Sequence, residues 1–182
     1  MASTRIVLAG FGGQGILFAG KLIAYAGLIE DREVSWLPSY GPEMRGGTAN
    51  CSVTVATEPI GSPLVLDPNV LVAMNQPSLD KFVDTVVPGG FIIADSTMVP
   101  NIPDAASLAN PGITVYAIPA TELAEKNDLK GLANIILAGK LWECTHFCER
   151  ETLSAALAKC VPPRKQHLLE PNERALQLGI ES

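Results

Sequence analysis

The stretch "RIVLAG" (Arg5 to Gly10) is aliphatic and β-branched. It runs straight into the glycines of "GFGGQG" and then into an apolar-periodic segment beginning at Ile16. A short apolar run that ends in glycine predicts a buried strand. Ile16, Ala19, Ile23, Ala26 and Leu28 follow at near-helical spacing, with Gly20 and Gly27 admitting close neighbours. Strand, glycine loop and helix in that order confine the chain to a small set of α/β folds.

The pattern continues downstream. "EVSWLPS" predicts a second strand stopped by Pro38. "TANCSVTVAT" alternates, with Cys51, Val53 and Val55 on one face and Ser52 and Thr54 on the other, which predicts a half-exposed strand. Further strands are expected at Asn69 to Asn75, Gly90 to Ser96 and Ile113 to Pro119, with a helix over "SLDKFVDTV" that Ser78 would cap. The last third predicts helices over Ala120 to Lys126, Leu132 to Phe147, Glu149 to Cys160 and Pro171 to Gly179. The expected fold is a three-layer α/β/α sandwich with a largely parallel, Rossmann-like sheet, forming one domain over residues 1–182.

Composition narrows the function. Hydrophobic residues are 47% and charged residues 18% of the chain, which argues for deep burial or a partner-covered surface and against disorder. The net charge is -6, with no basic cluster, so neither nucleic acid nor an anionic membrane is an expected partner. No apolar run approaches the ~20 residues needed to span a bilayer. The N-terminus reads as a strand rather than a signal peptide. Scattered Cys51, Cys144, Cys148 and Cys160 fit reduced thiols, so the expected compartment is the cytoplasm.

The glycine loop has two readings. Gly10, Gly12 and Gly15 fit G-x-G-x-x-G, and amides at a helix start attract anions, so Gly12, Gly13, Gln14 and Gly15 are candidate cofactor-binding residues. Equally, the glycines can serve only to let strand and helix pack closely. A dinucleotide site also wants an acid after the second strand, whereas Glu30, Asp31 and Glu33 precede it. Catalytic chemistry of its own is hard to find. There is no Walker lysine and no GxSxG elbow. Cys144 and Cys148 share a helical face at i and i+4, but a closed zinc site needs four ligands, so no metal is expected.

The ordered set "GFGGQGI", "SYGPEMRGGTANC", "VLVAMNQPSLDKF", "VPGGFIIADST", "LANIILAGKL" and "LLEPNERALQLG" resembles the gamma subunit of the 2-oxoacid:ferredoxin (acceptor) oxidoreductases. The resemblance implies a component without a catalytic centre of its own, in a complex that decarboxylates a 2-oxoacid and passes the acyl group to coenzyme A. Thiamine diphosphate and iron–sulfur clusters would sit on partner alpha and beta subunits, with a ferredoxin-like delta subunit where one is separate. Ferredoxin would accept the electrons. 2-Oxoglutarate is the expected substrate, with branched-chain and pyruvate enzymes as the neighbouring branches. Coenzyme A is the ligand implied for the glycine loop.

Two further segments carry expectations. Asn75 and Gln76 follow a strand and are placed in the ligand crevice beside the glycine loop, or else in a plain strand-to-helix turn. Ser39, Tyr40, Gly41, Pro42, Glu43, Arg45 and Gly46 form the expected interface or ligand-edge loop, stiffened by proline and carrying a guanidinium suited to phosphate or carboxylate. Exposed interface would let the isolated chain self-associate.

Overall fold

The computed structural model describes residues 3–40 and 48–182. A six-stranded sheet runs in the order β2-β3-β1-β4-β5-β6, built from β1 (Ser3–Phe11), β2 (Glu33–Tyr40), β3 (Thr48–Ala56), β4 (Val70–Ala73), β5 (Phe91–Asp95) and β6 (Thr114–Ile118). Strands β1, β4, β5 and β6 pair in parallel, while β3 pairs antiparallel with both β1 and β2. Only β3 therefore runs against the rest, and the sheet is largely parallel as expected.

Alternation along the central strands divides the core in two. Ile6 and Leu8 of β1 face one side with Val70, Val72 and Ile93. Val7 and Ala9 face the other with Leu71, Ala73 and Ile92. The first side carries α1 (Ile16–Ile29), α3 (Ala120–Lys126), α4 (Ala133–Thr145), α5 (Arg150–Cys160) and α6 (Leu169–Ile180). The second carries α2 (Gln76–Phe82), whose Leu79 packs under Val7 and Ala9, together with connecting segments that contribute Val65, Val99 and Ile113. The sandwich has three layers of unequal thickness.

Gly20 and Gly27 seat α1 on the sheet. A Cβ at Gly20 would lie 2.5 Å from Cys51 Sγ, and one at Gly27 would lie 2.7 Å from Val34 Cγ2. Four expectations need correction. β2 does not stop at Pro38 but continues to Tyr40, because it is an edge strand, where a residue without an N–H is tolerated. β3 is not half-exposed: Ser52 and Thr54 are each only 5% exposed, and Ser52 Oγ accepts the Val65 N–H from the connection laid over them. Leu28, expected on the buried stripe, is 56% exposed at the last turn of α1. Helix α4 ends at Thr145 with His146 left-handed, so Cys148 lies beyond it and the i, i+4 pairing with Cys144 does not exist.

Candidate functional site

The site grows from the turn after β1. Gly10 leaves room for two side chains: a Cβ there would lie 2.7 Å from Gln14 Oε1 and 2.9 Å from Ile16 Cδ1, and both would have to shift. Gln14 folds inward: its Oε1 accepts the Phe11 N–H (2.6 Å) and its Nε2 donates to the Met74 carbonyl (3.0 Å), tying the loop to the end of β4. Gly13 (φ +99°) and Gly15 (φ +76°) take left-handed backbone, which L side chains rarely adopt. Their N–H groups have no partner among the described residues. Helix α1 begins with no side-chain cap and no acid in its first turn. The result is a helix N-terminus with open donors and partial positive charge.

Asn134, near the start of α4, braces this turn from the far side. It is 5% exposed, and its Nδ2 donates to the Gly15 carbonyl at 3.0 Å. Helix α4 also starts without a side-chain cap or an early acid. Asp95 organises the neighbouring strand ends. Wholly buried at the end of β5, it accepts from Thr97 N (3.1 Å), Thr121 N (3.3 Å) and Thr121 Oγ1 (2.5 Å), joining β5 to the first turn of α3.

These turns enclose a cleft of about 290 Å³ whose walls include Gly13, Gln14, Met74, Met98, Thr121 and Lys130. It lies at the carboxyl ends of β1, β4 and β5. The helix after β1 covers one sheet face and the helix after β4 covers the other, the crossover point where open α/β sheets bind ligands. Lys130 is exposed and has no ion pair among the described residues; Glu125 also reaches the wall.

The structure brings Gly13 and Gln14 into this cleft, with Gly12 and Gly15 in the same turn. Asn75 and Gln76 are not on its wall. Asn75, 1% exposed, caps α2 by accepting the Ser78 N–H at 2.8 Å, so Asn75 and not Ser78 is the cap. Gln76 exchanges two hydrogen bonds with the Asn101 backbone and donates to Asp80. Ser39 and Tyr40 end β2 opposite Asn50 and Ala49. Gly41, Pro42, Glu43, Arg45 and Gly46 lie outside the described residues. A dinucleotide reading has no geometric support: β2 lies beyond the antiparallel β3, so no second-strand acid adjoins the glycine loop.

Sequence reasoning gave no role to Asp95, Thr121, Lys130 or the Asn134 brace. Asp95 and Asn134 left a faint signal, the one a polar residue closing the apolar "GFIIAD" and the other set alone inside "LANIILAG"; Thr121 and Lys130 left none. The cysteines offer no nucleophile. Burial pushes the Cys51 thiol up to about 12, against a weaker opposing hydrogen bond from Trp36, and does the same to Cys148, also about 12. Cys144 and Cys160 rise to about 11, again through burial. Among the described residues no three His, Cys, Asp or Glu side chains gather as a metal site, so these thiols do not fit a cluster.

Across residues 5–182 the chain matches the family model of pyruvate ferredoxin/flavodoxin oxidoreductase. The chain belongs to that family. Within it, ketoisovalerate oxidoreductase subunit VorA of Methanothermobacter thermautotrophicus is 40% identical over 97% of this chain, which spans only 36% of VorA's length. The 2-oxoglutarate synthase subunit KorC of Methanocaldococcus jannaschii is 35% identical over 97% of this chain and 92% of its own. Among solved structures, a keto/oxoacid ferredoxin oxidoreductase gamma subunit from Geobacter sulfurreducens superposes with a TM-score of 0.81 at 27% identity, covering 98% of this chain and 96% of its own. The 2-oxoglutarate:ferredoxin oxidoreductase of Magnetococcus marinus, solved with 2-oxoglutarate, coenzyme A and succinyl-CoA, gives 0.84 at 25% identity over 98% of this chain and 30% of that one. No helix among the described residues is long and apolar enough to cross a membrane.

Proposed function

We propose that this chain is the gamma component of a cytoplasmic 2-oxoacid:ferredoxin oxidoreductase, active only with its alpha and beta partners and, where separate, a ferredoxin-like delta subunit. The observation that carries this reading is the near end-to-end match to the KorC subunit, 97% of this chain against 92% of that one. In the reaction a 2-oxoacid loses carbon dioxide, an electron pair passes to ferredoxin, and the acyl group leaves as a thioester of coenzyme A. Thiamine diphosphate and iron–sulfur clusters belong to the partners. 2-Oxoglutarate is the substrate to try first, with 2-oxoisovalerate next.

Coenzyme A is the ligand assigned to this cleft through its pyrophosphate. Its pyrophosphate is a compact anion, suited to the Gly13 and Gly15 amides, which have no partner among the described residues, the uncapped start of α1 and the Lys130 ammonium. Gln14 serves this site by holding the loop, since both ends of its amide are already engaged. Arg45 and Glu43 are assigned to contact with a partner subunit or the ligand edge.

The test is an affinity pull-down of the tagged chain from its native cytosol. The eluate is assayed for thiamine- and coenzyme A-dependent reduction of a viologen dye by a panel of 2-oxoacids. Co-elution of larger chains with that activity is the expected result. A chain that elutes alone and inactive, under conditions preserving such complexes, would sink the proposal.

A further inference from the structure

The sheet ends on β6 with one side of that strand open. Thr114 N donates to the Gly90 carbonyl and Ser96 N to the Ile118 carbonyl, so Thr114, Tyr116 and Ile118 bond toward β5. Alternation turns the N–H and C=O groups of Val115 and Ala117 to the outside, where they have no partner among the described residues. Ala117 is exposed and Val115 half-buried. Natural edge strands are blunted by charge, proline or a covering element. β2, the opposite edge, opens on Glu33 and carries Pro38. β6 contains neither device, and between Asp104 and Glu122 the chain holds no Asp, Glu, Lys, Arg or His. Lys140 and Glu143 of α4, beside the Tyr116 ring, neutralise each other at 2.9 Å, and the Lys140 ammonium lies 4.5 Å from the ring centre.

We propose that β6 pairs antiparallel with β6 of a second copy of this chain, about a two-fold axis at Tyr116. The charge pattern selects the occupant. A two-fold interface sets side chains near their own copies, where like charges opposite one another destabilise the pair. This edge has no charge to repel. Alternation then sets the register. With Tyr116 on the axis, Val115 faces Ala117 of the second copy, and the two exchange both backbone hydrogen bonds. The two Tyr116 residues meet as a non-hydrogen-bonded pair, where side chains come closest. Phe91 stacks on the Tyr116 ring within its own copy, with centroids 6.4 Å apart, so each tyrosine enters the aromatic pair already supported. Any shifted register leaves an outward residue of β6 without a β6 partner.

Sedimentation of the full chain across about two decades of micromolar concentration tests the pairing, since so short an edge makes a small, reversible interface. A monomer–dimer equilibrium is expected. Ala117→Pro removes an outward N–H from each copy, at an exposed edge position where proline is tolerated, and should weaken the dimer about tenfold or more. Ala117→Lys sets two ammonium groups near each other across the axis and should weaken it too, more at low salt than at high. Oxidation in a Cys144→Ser background, which removes the thiol beside Tyr116, reads the register. Tyr116→Cys should form an intermolecular disulfide, its Cα atoms falling within the ~4.4–6.8 Å that such a bond spans. Thr114→Cys, set opposite Ile118 instead, should not. A monomer throughout, a dimer untouched by both Ala117 variants, or Thr114→Cys cross-linking as fast as Tyr116→Cys overturns the proposal.

Discussion

Gly13 and Gly15 look alike in sequence and differ in what surrounds them. Both hold positive φ, so a side chain at either is strained by roughly 1–3 kcal/mol. A Cβ at Gly13 meets nothing within 4 Å, whereas one at Gly15 would sit 2.5 Å from Asn134 Nδ2 and push the brace away. Gly15→Ala should therefore lower stability in chemical denaturation by about 1–3 kcal/mol more than Gly13→Ala, the added loss reflecting overpacking. Equal losses would remove the Asn134 brace from the account. The thiols make a second prediction at this scale. Their folded values of about 11 to 12 exceed the ordinary 9.0, so the native chain keeps protons that the unfolded chain releases. Their contribution is complete below pH 9 and is lost as pH rises through the folded values. Native thiols should stay nearly inert to iodoacetamide at pH 9 while the urea-unfolded chain reacts readily; fast labelling of the native chain would contradict the burial.

At the scale of elements, α4 and α6 cross through two glycines. A Cβ at Gly139 would collide with the Leu176 carbonyl, and one at Gly179 with the Ile136 carbonyl. The obstacles are backbone atoms that no rotamer change can move. Gly139→Ala should cost about 1–3 kcal/mol or more through overpacking and lower the Tm, despite alanine's better helix propensity. A raised Tm would mean that the helices can separate freely. The same crossing keeps the first turn of α4 in place, and with it Asn134. Asp95 has a parallel task on the other side of the cleft, where three donors from Thr97 and Thr121 converge on one buried carboxylate.

In the whole molecule the two layers over the sheet are unequal, and so are their roles. The thick layer supplies the starts of α1, α3 and α4 that wall the cleft. The thin one leaves Leu64 and Leu66 at 53% and 73% exposure on a connection over the opposite face. Thr48 pairs with Phe11 at the start of the glycine loop, and Tyr40 pairs with Ala49 on the far side of β3, at the same end of the sheet. Arg45→Ala should reduce dye reduction by the assembled complex at least about tenfold while leaving the thermal midpoint of the isolated chain unchanged. The expectation rests on the partner contact proposed for Arg45, because removing one member of a desolvated charge pair costs about 3–5 kcal/mol. Undiminished activity would make Arg45 a surface residue only.

The order of elements was legible in the residues, because apolar period and glycine placement are local properties: β1, α1 and α3 fall where periodicity puts them, and the glycine loop declares itself. The ordered motifs likewise carried the family. What the chain could not announce were relations across distance. That β3 runs antiparallel between β1 and β2, that Asn75 caps α2, that Ser52 and Thr54 are roofed over, and that Asn134 bonds a carbonyl 119 residues away depend on which surfaces meet once the core closes. A side chain's period fixes the face on which it lies; only packing decides what covers that face, and for a buried polar group the partner across the contact determines its role.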